Sequence, residues 1–73
     1  NVRVNCIAPG LVRTDFAKAL WQNEEAEKRF NSSHPMRRMG LPEDIAGAAV
    51  FLGSKAGAYV NGQTIVVDGG SVI

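Results

Sequence analysis

The first seven residues alternate. Val2, Val4 and Cys6 fall on one side of an extended chain, and Arg3, Asn5 and Ile7 on the other. A period of two with several β-branched residues predicts a strand. Ala8-Pro9-Gly10 closes it, because proline cannot donate to a ladder and glycine permits a sharp turn. From about Asp15 to Phe30 the period lengthens. Phe16, Ala19, Leu20, Ala26 and Phe30 mark an interrupted helical face, Glu24, Glu25 and Glu27 a solvated patch, and Gln22-Asn23 a point where the segment divides into two short helices. "NSSHPMRRMG" reads as a loop punctuated by Pro35 and Gly40.

Residues 42–53 give the clearest helix. Pro42 suits the first helical position, Glu43 and Asp44 complement the dipole of the first turn, and Gly53 serves as the stop. From Ile45 to Leu52 nearly every residue is apolar, so the helix is expected to be buried on more than one side. Gly47 costs about 1 kcal/mol relative to alanine there, and close approach of another backbone is its expected reason. "AGAYVNG" is a short turn or helical remnant. "QTIVVDGG" is a second strand, with Ile65-Val66-Val67 a continuous apolar run of the kind parallel sheets bury.

Roughly 55 residues separate the two strands, a length that argues for a crossover and parallel pairing. Two strands make no stable parallel sheet, and an almost wholly apolar helix needs more partners than this chain supplies. The expected fold class is therefore α/β, the chain being one edge of a larger doubly wound sheet.

Composition narrows the function classes. The chain has 73 residues, 45% hydrophobic and 21% charged, with a formal net charge of +1. No strong field for nucleic acid or a membrane surface follows. One cysteine, Cys6, allows no internal disulfide and is expected to be a small buried hydrophobe. His34 has no second ligand in view, so no metal is expected. No apolar run approaches about 20 residues, and no signal-peptide pattern is present. The start at Asn1 reads as a cut edge. Ser71-Val72-Ile73 is not a peroxisomal signal, which leaves the cytoplasm as the expected compartment.

"RVNCIAPGLVRTDF" and "PMRRMGLPEDIAGAAVFLGSKAGAYVNGQTIVVDGG" together carry a specific pattern. A strand ends in N-x-x-x-P-G, a threonine follows four residues after the glycine, then come R-x-G-x-P-E-D-I-A and G-Q-x-x-x-V-D-G-G. Over its whole length the chain resembles the C-terminal portion of a classical short-chain dehydrogenase/reductase. The resemblance implies a C-terminal fragment of a Rossmann-like doubly wound parallel sheet, residues 1–73 being part of a single NAD(P)-binding domain. It implies NAD or NADP as cofactor, and hydride transfer between the nicotinamide and an alcohol or carbonyl substrate.

Three of the family's parts are not in this sequence: the glycine-rich dinucleotide turn, the catalytic serine, and Tyr-x-x-x-Lys. Tyr59, the only tyrosine, is followed four residues on by Gln63. No catalytic residue is assigned, and the 73 residues alone are expected to be inactive.

The resemblance carries over residue by residue. Pro9 and Gly10 break the strand at the edge where open α/β sheets bind ligands. Backbone groups of Leu11, and especially Val12, are implied to bond the nicotinamide carboxamide; a plain turn is the alternative. Thr14 matches the threonine whose hydroxyl reaches the carboxamide or pyrophosphate, and it equally suits a helix N-cap. Asp15 and Phe16 are credited only with backbone N–H groups near phosphate. Phe16, Leu20, Trp21 and Phe30 map onto the variable substrate lid, or else pack as an ordinary amphipathic helix. Arg38 suits a structural ion pair or carbonyl contacts, and Asp68-Gly69-Gly70 shapes the C-terminal turn.

The implied partners are a small-molecule alcohol or carbonyl substrate and the remainder of the same polypeptide. A second copy is also implied, giving a homodimer or homotetramer through residues 42–53 and 63–70, with Ala48, Phe51 and Ile65–Val67 in the contact. The competing class is a non-catalytic fragment that docks its helix and last strand on a partner chain.

Overall fold

The computed structural model describes residues 2–71, the side chain of Leu20 excepted. Strand β1 (Cys6–Pro9) leads to a 3₁₀ turn (Asp15–Ala17) and three helices, α1 (Lys18–Trp21), α2 (Glu24–Ser33) and α3 (Pro42–Gly53). A second 3₁₀ turn (Lys55–Gly57) precedes strand β2 (Thr64–Val67). The two strands pair in parallel, with Cys6 opposite Thr64 and Pro9 opposite Val67. The parallel crossover expected from the spacing is present.

β1 begins later than the alternation suggests and runs through Pro9. Pro9 is tolerated because it is the last residue of the ladder, where the next donor, Gly10 N–H, bonds Val67 C=O at 3.0 Å. Residues 3–5 precede the ladder and are held mainly by side chains, with Gly62 N–H also donating to Val4 C=O at 2.8 Å. The Asn5 carboxamide donates to Val60 C=O (3.0 Å) and accepts from Gln63 N–H (3.0 Å). Arg3 donates to the carbonyls of Gly57 (2.7 Å) and Val60 (3.2 Å), and Asn61 Oδ1 accepts from Val4 N–H (3.0 Å). These clips fix the two strand starts side by side.

The break near Gln22-Asn23 is real: the Asn23 side chain caps α2 by accepting from the N–H groups of Glu25 and Ala26. α2 outruns its expected end and takes in Ser32 and Ser33, whose hydroxyls bond back to Arg29 C=O. α3 has the expected bounds, with Pro42 in its first turn. Its stop differs. Gly53 is the last helical residue, and Ser54 ends the helix by donating its hydroxyl to Phe51 C=O at 3.0 Å.

α3 packs on both strands, and among the described elements it alone covers the sheet. Ile7 and Ile65, paired in register, are half-buried, and Leu52 is 9% exposed. Within these residues taken alone, burial differs from what was expected of the larger sheet. Cys6 is exposed, not buried, because alternation places it with Thr64 on the face opposite α3. Ile65-Val66-Val67 alternates in burial, with Val66 exposed on that same bare face. α3 is buried on one side only, with Val50 69% and Phe51 42% exposed, and a Cβ on Gly47 would meet no described atom within 4 Å.

Candidate functional site

The site is built where β1 ends. Gly10 is required by proximity rather than by an unusual dihedral: a Cβ there would lie 2.6 Å from Asp68 Cβ and 2.8 Å from its Cα. The chain leaving β1 is thereby pressed against the turn that follows β2. Gly69 and Gly70 shape that turn with φ of 65° and 97°, and Asp68 Oδ1 accepts from Gly70 N–H at 2.8 Å. The turn-forming role expected of Asp68-Gly69-Gly70 is what the structure has.

The next residues form a parallel bridge between Val12 and Gly40. Leu11 C=O accepts from Gly40 N–H (3.0 Å), and Arg13 N–H donates to Gly40 C=O (2.7 Å). In an extended chain successive residues direct their polar groups to opposite sides. The N–H and C=O of Val12 itself therefore face away from Gly40, and neither has a hydrogen-bond partner among the described residues. Of the two residues singled out for backbone contacts, Leu11 has its carbonyl committed and Val12 has both groups free.

Thr14 caps the first 3₁₀ turn, its Oγ1 accepting from Ala17 N–H at 3.3 Å. Accepting leaves the hydroxyl proton available to a ligand, so the cap and the cofactor contact are compatible. Thr14 C=O accepts from the Trp21 indole Nε1–H at 2.8 Å, and the Arg13 guanidinium lies 4.6 Å from the centre of the Trp21 ring.

Of the four residues expected to wall a substrate, the three whose side chains are described are not gathered together. Phe16 is fully exposed. Trp21 is half-buried against Arg13 and Thr14. Phe30 stacks on His34, ring centres 4.7 Å apart. The side chain of Leu20 lies outside the described residues.

A cavity of about 250 Å³ opens below the strand ends, between Leu11, His34, Arg38, Asp44 and Gly69. Arg38 donates to Asp44 (2.9 and 3.3 Å) and to Met39 C=O (3.1 Å), so both contacts expected of it are present. Hydrogen bonding from Arg38, then from Leu41 N–H, holds the Asp44 carboxyl below the ordinary carboxylate range, and the bond to Asp44 raises Arg38. His34, lone in sequence, meets Ser71 Oγ at 2.6 Å through Nε2. Among the described residues no group of His, Cys, Asp or Glu is placed to hold a metal.

Sequence reasoning missed the parts played by Asn5, Arg13, Trp21 and the His34–Ser71 pair. Asn5 left a trace: a carboxamide on the same strand side as Ile7 needs partners if it is covered. The other contacts span separations for which no periodic signal exists.

A parallel strand pair with a helical crossover, and free backbone groups just beyond a strand's carboxyl end, define part of a Rossmann-like α/β sheet. The chain belongs to the short-chain dehydrogenase/reductase family: residues 1–72 match the family model described as "Enoyl-(Acyl carrier protein) reductase". It is 46% identical over 71 residues to dehydrogenase/reductase SDR family member 4 of Homo sapiens, a match covering 97% of this chain and 26% of that protein. A candidate 2-deoxy-d-gluconate 3-dehydrogenase from Agrobacterium tumefaciens, solved with bound NADP, superposes with a TM-score of 0.81 at 47% identity, over 93% of this chain and 28% of that one. A mutant 4-hydroxyisoleucine dehydrogenase complexed with NADH and succinate gives 0.88 at 32% identity, over 99% and 30%. The chain spans about a quarter of the length of the curated relatives it matches.

Proposed function

We propose that these residues supply the nicotinamide-end binding segment, and part of the substrate cover, of an NAD(P)-dependent oxidoreductase. The observation that carries this reading is the free N–H and C=O of Val12, one donor and one acceptor side by side beyond the end of β1. A carboxamide offers the complementary acceptor and donor, so two bonds to one residue fix which face of the ring is presented. When bound, the nicotinamide gives or takes the hydride that an alcohol or carbonyl substrate exchanges. Solved relatives holding NADP and NADH support the choice of cofactor.

In this reading Pro9 and Gly10 set the exit from β1, and Leu11 is tied down so that Val12 is presented. The Thr14 hydroxyl donates to the carboxamide or to a phosphate oxygen. The N–H groups of Asp15 and Phe16, at the open start of a 3₁₀ turn, face the phosphates. Phe16, Leu20, Trp21 and Phe30 belong to a cover that comes together only over a substrate. Proton transfer falls to a serine, a tyrosine and a lysine on the remainder of the polypeptide, and the 73 residues do not turn over alone. The outward face of α3 and the β2 edge meet a second copy.

Thr14→Val in the complete subunit tests the assignment. Losing one hydrogen bond to a charged or strongly polar group weakens nicotinamide cofactor binding by about 1–3 kcal/mol, read by titration calorimetry. Unchanged affinity and turnover, with a lowered melting temperature of the ligand-free protein, would leave Thr14 as a cap and nothing more.

A further inference from the structure

We propose that His34 is a positioning residue that anchors the far end of α2, and with it Phe30 of the substrate cover, to the turn that follows β2; the cover itself rests on the function proposed above. α2 is ten residues long, yet among the described elements it packs only against α1. Neither strand supports it, nor does α3. Its C-terminal end reaches the turn after β2 through His34. The N–H of His34 closes the last helical turn on Phe30 C=O at 3.0 Å, and the residue then leaves the helix in an extended conformation. Its ring turns back to stack on Phe30, with 4.7 Å between centres and 25° between planes. Its Nε2 meets Ser71 Oγ at 2.6 Å, 37 residues further on.

The neighbouring bonds fix which way this pair is polarised. Ser71 Oγ donates its one proton to Asp68 C=O at 3.1 Å. The oxygen therefore accepts from His34, and the imidazole is the tautomer that carries its proton on Nε2. Nδ1 is shut off from solvent and has no partner among the described residues. A proton placed there instead would leave a buried donor unpaired, which is costly. Gly69 makes the fit possible. A Cβ at that position would lie 2.5 Å from His34 Cε1 and 3.4 Å from Nδ1, so a larger residue would drive the ring off Ser71. The imidazole is thus held by Phe30, Gly69 and Ser71, and of these only Phe30 belongs to α2. The turn after β2, not the cofactor segment Val12–Thr14, sets where the Phe30 ring stands.

The test uses the complete subunit without ligand, at a pH well above the ordinary imidazole range. Long-range proton–nitrogen NMR spectra should show His34 with a protonated Nε2 and a bare Nδ1. Ser71→Ala removes the acceptor at an exposed position. It should return His34 to a mixture of tautomers and move the ring-proton signals of Phe30. Amide exchange at residues 31–34 should rise about 2- to 10-fold, the range expected for one net hydrogen bond, with none of this in α3. His34→Phe keeps a ring on Phe30 and removes the donor, and should raise exchange in the same way. His34→Gln, whose carboxamide N–H reaches about as far as Nε2, should restore the wild-type rate. Ser71→Ala serves alone if His34→Phe does not fold. A His34 proton on Nδ1, or exchange at 31–34 and Phe30 signals that Ser71→Ala leaves unchanged, overturns the anchor. A wild type that binds neither NADH nor NADPH overturns the cofactor reading alone, because the ring signals and exchange are read without ligand.

Discussion

Arg38 and Asp44 show how a single pair fixes the frame of the site. The Asp44 carboxylate accepts from Arg38 and from Leu41 N–H (2.7 Å), so it ends the loop and starts α3 in one stroke. Leu41 has no side-chain acceptor, so only the returning half of a capping box is made. Because these donors lower the folded pKa of Asp44, the fold resists a proton that the unfolded chain accepts near about 3.9. The stabilisation is fully present above that value and is lost as the pH falls through the lowered folded value. In the complete subunit, the melting temperature of the wild type should therefore fall more steeply between about pH 5 and pH 2 than that of Asp44→Asn. Both side chains are partly solvated, which keeps the effect modest and salt-sensitive. Parallel acid profiles for the two proteins would show that the pair contributes nothing.

At the scale of elements, α3 is the informative one. Ile45, Ala48 and Leu52 recur at helical spacing and are at least half-buried, while Ala46, Gly47, Val50 and Phe51 look outward. Gly47, expected to admit a close backbone, meets none among the described residues. Ala48 faces inward more than its place in the expected contact requires, so Val50 is the better probe of a subunit interface. A glutamate at position 50 meets water in a lone α3 but an apolar partner in an assembly, and an unpaired buried charge is costly. Val50→Glu in the complete subunit should lower the mass seen by sedimentation equilibrium without altering the far-ultraviolet circular dichroism. A variant that keeps the wild-type mass would place the outward face of α3 outside the subunit contact.

The whole molecule explains why so much apolar surface is bare. A compact protein of 7.8 kDa exposes about 4,400 Å², whereas this chain exposes 5538 Å². Its radius of gyration is 14.4 Å against about 11 Å for a globule of equal length, and its extents are 48 × 25 × 15 Å. Among the described residues only Met39 (7%) and Leu52 (9%) are buried hydrophobics. A slab of one sheet and one covering helix cannot offset the ordering entropy of its backbone. The 73 residues expressed alone should show no cooperative thermal transition and little amide dispersion in NMR spectra. A sharp transition with dispersed signals would mean that this slab is a folding unit in itself.

The sequence by itself determined the elements, their order and the parallel pairing. The Pro42-Glu43-Asp44 helix start, the Asn23 break and the long crossover each survive in the structure, whereas of the alternating residues 2–7 only Cys6 and Ile7 lie in β1. It also placed Val12 and Thr14 at a strand exit, because Pro9-Gly10 can only end a ladder there. What it did not contain was which residues meet across the fold. Cys6 reads as apolar and interior, yet its burial depends on what covers the second sheet face. Gly10 reads as a turn residue, yet its need comes from Asp68, 58 positions away. The freedom of Val12 arises because Gly40 occupies the groups on either side of it, and Trp21 grips Thr14 only because α1 folds back over the segment. Tertiary structure alone decided these points: local pattern fixes backbone conformation, while contact between distant residues is set by how the elements pack.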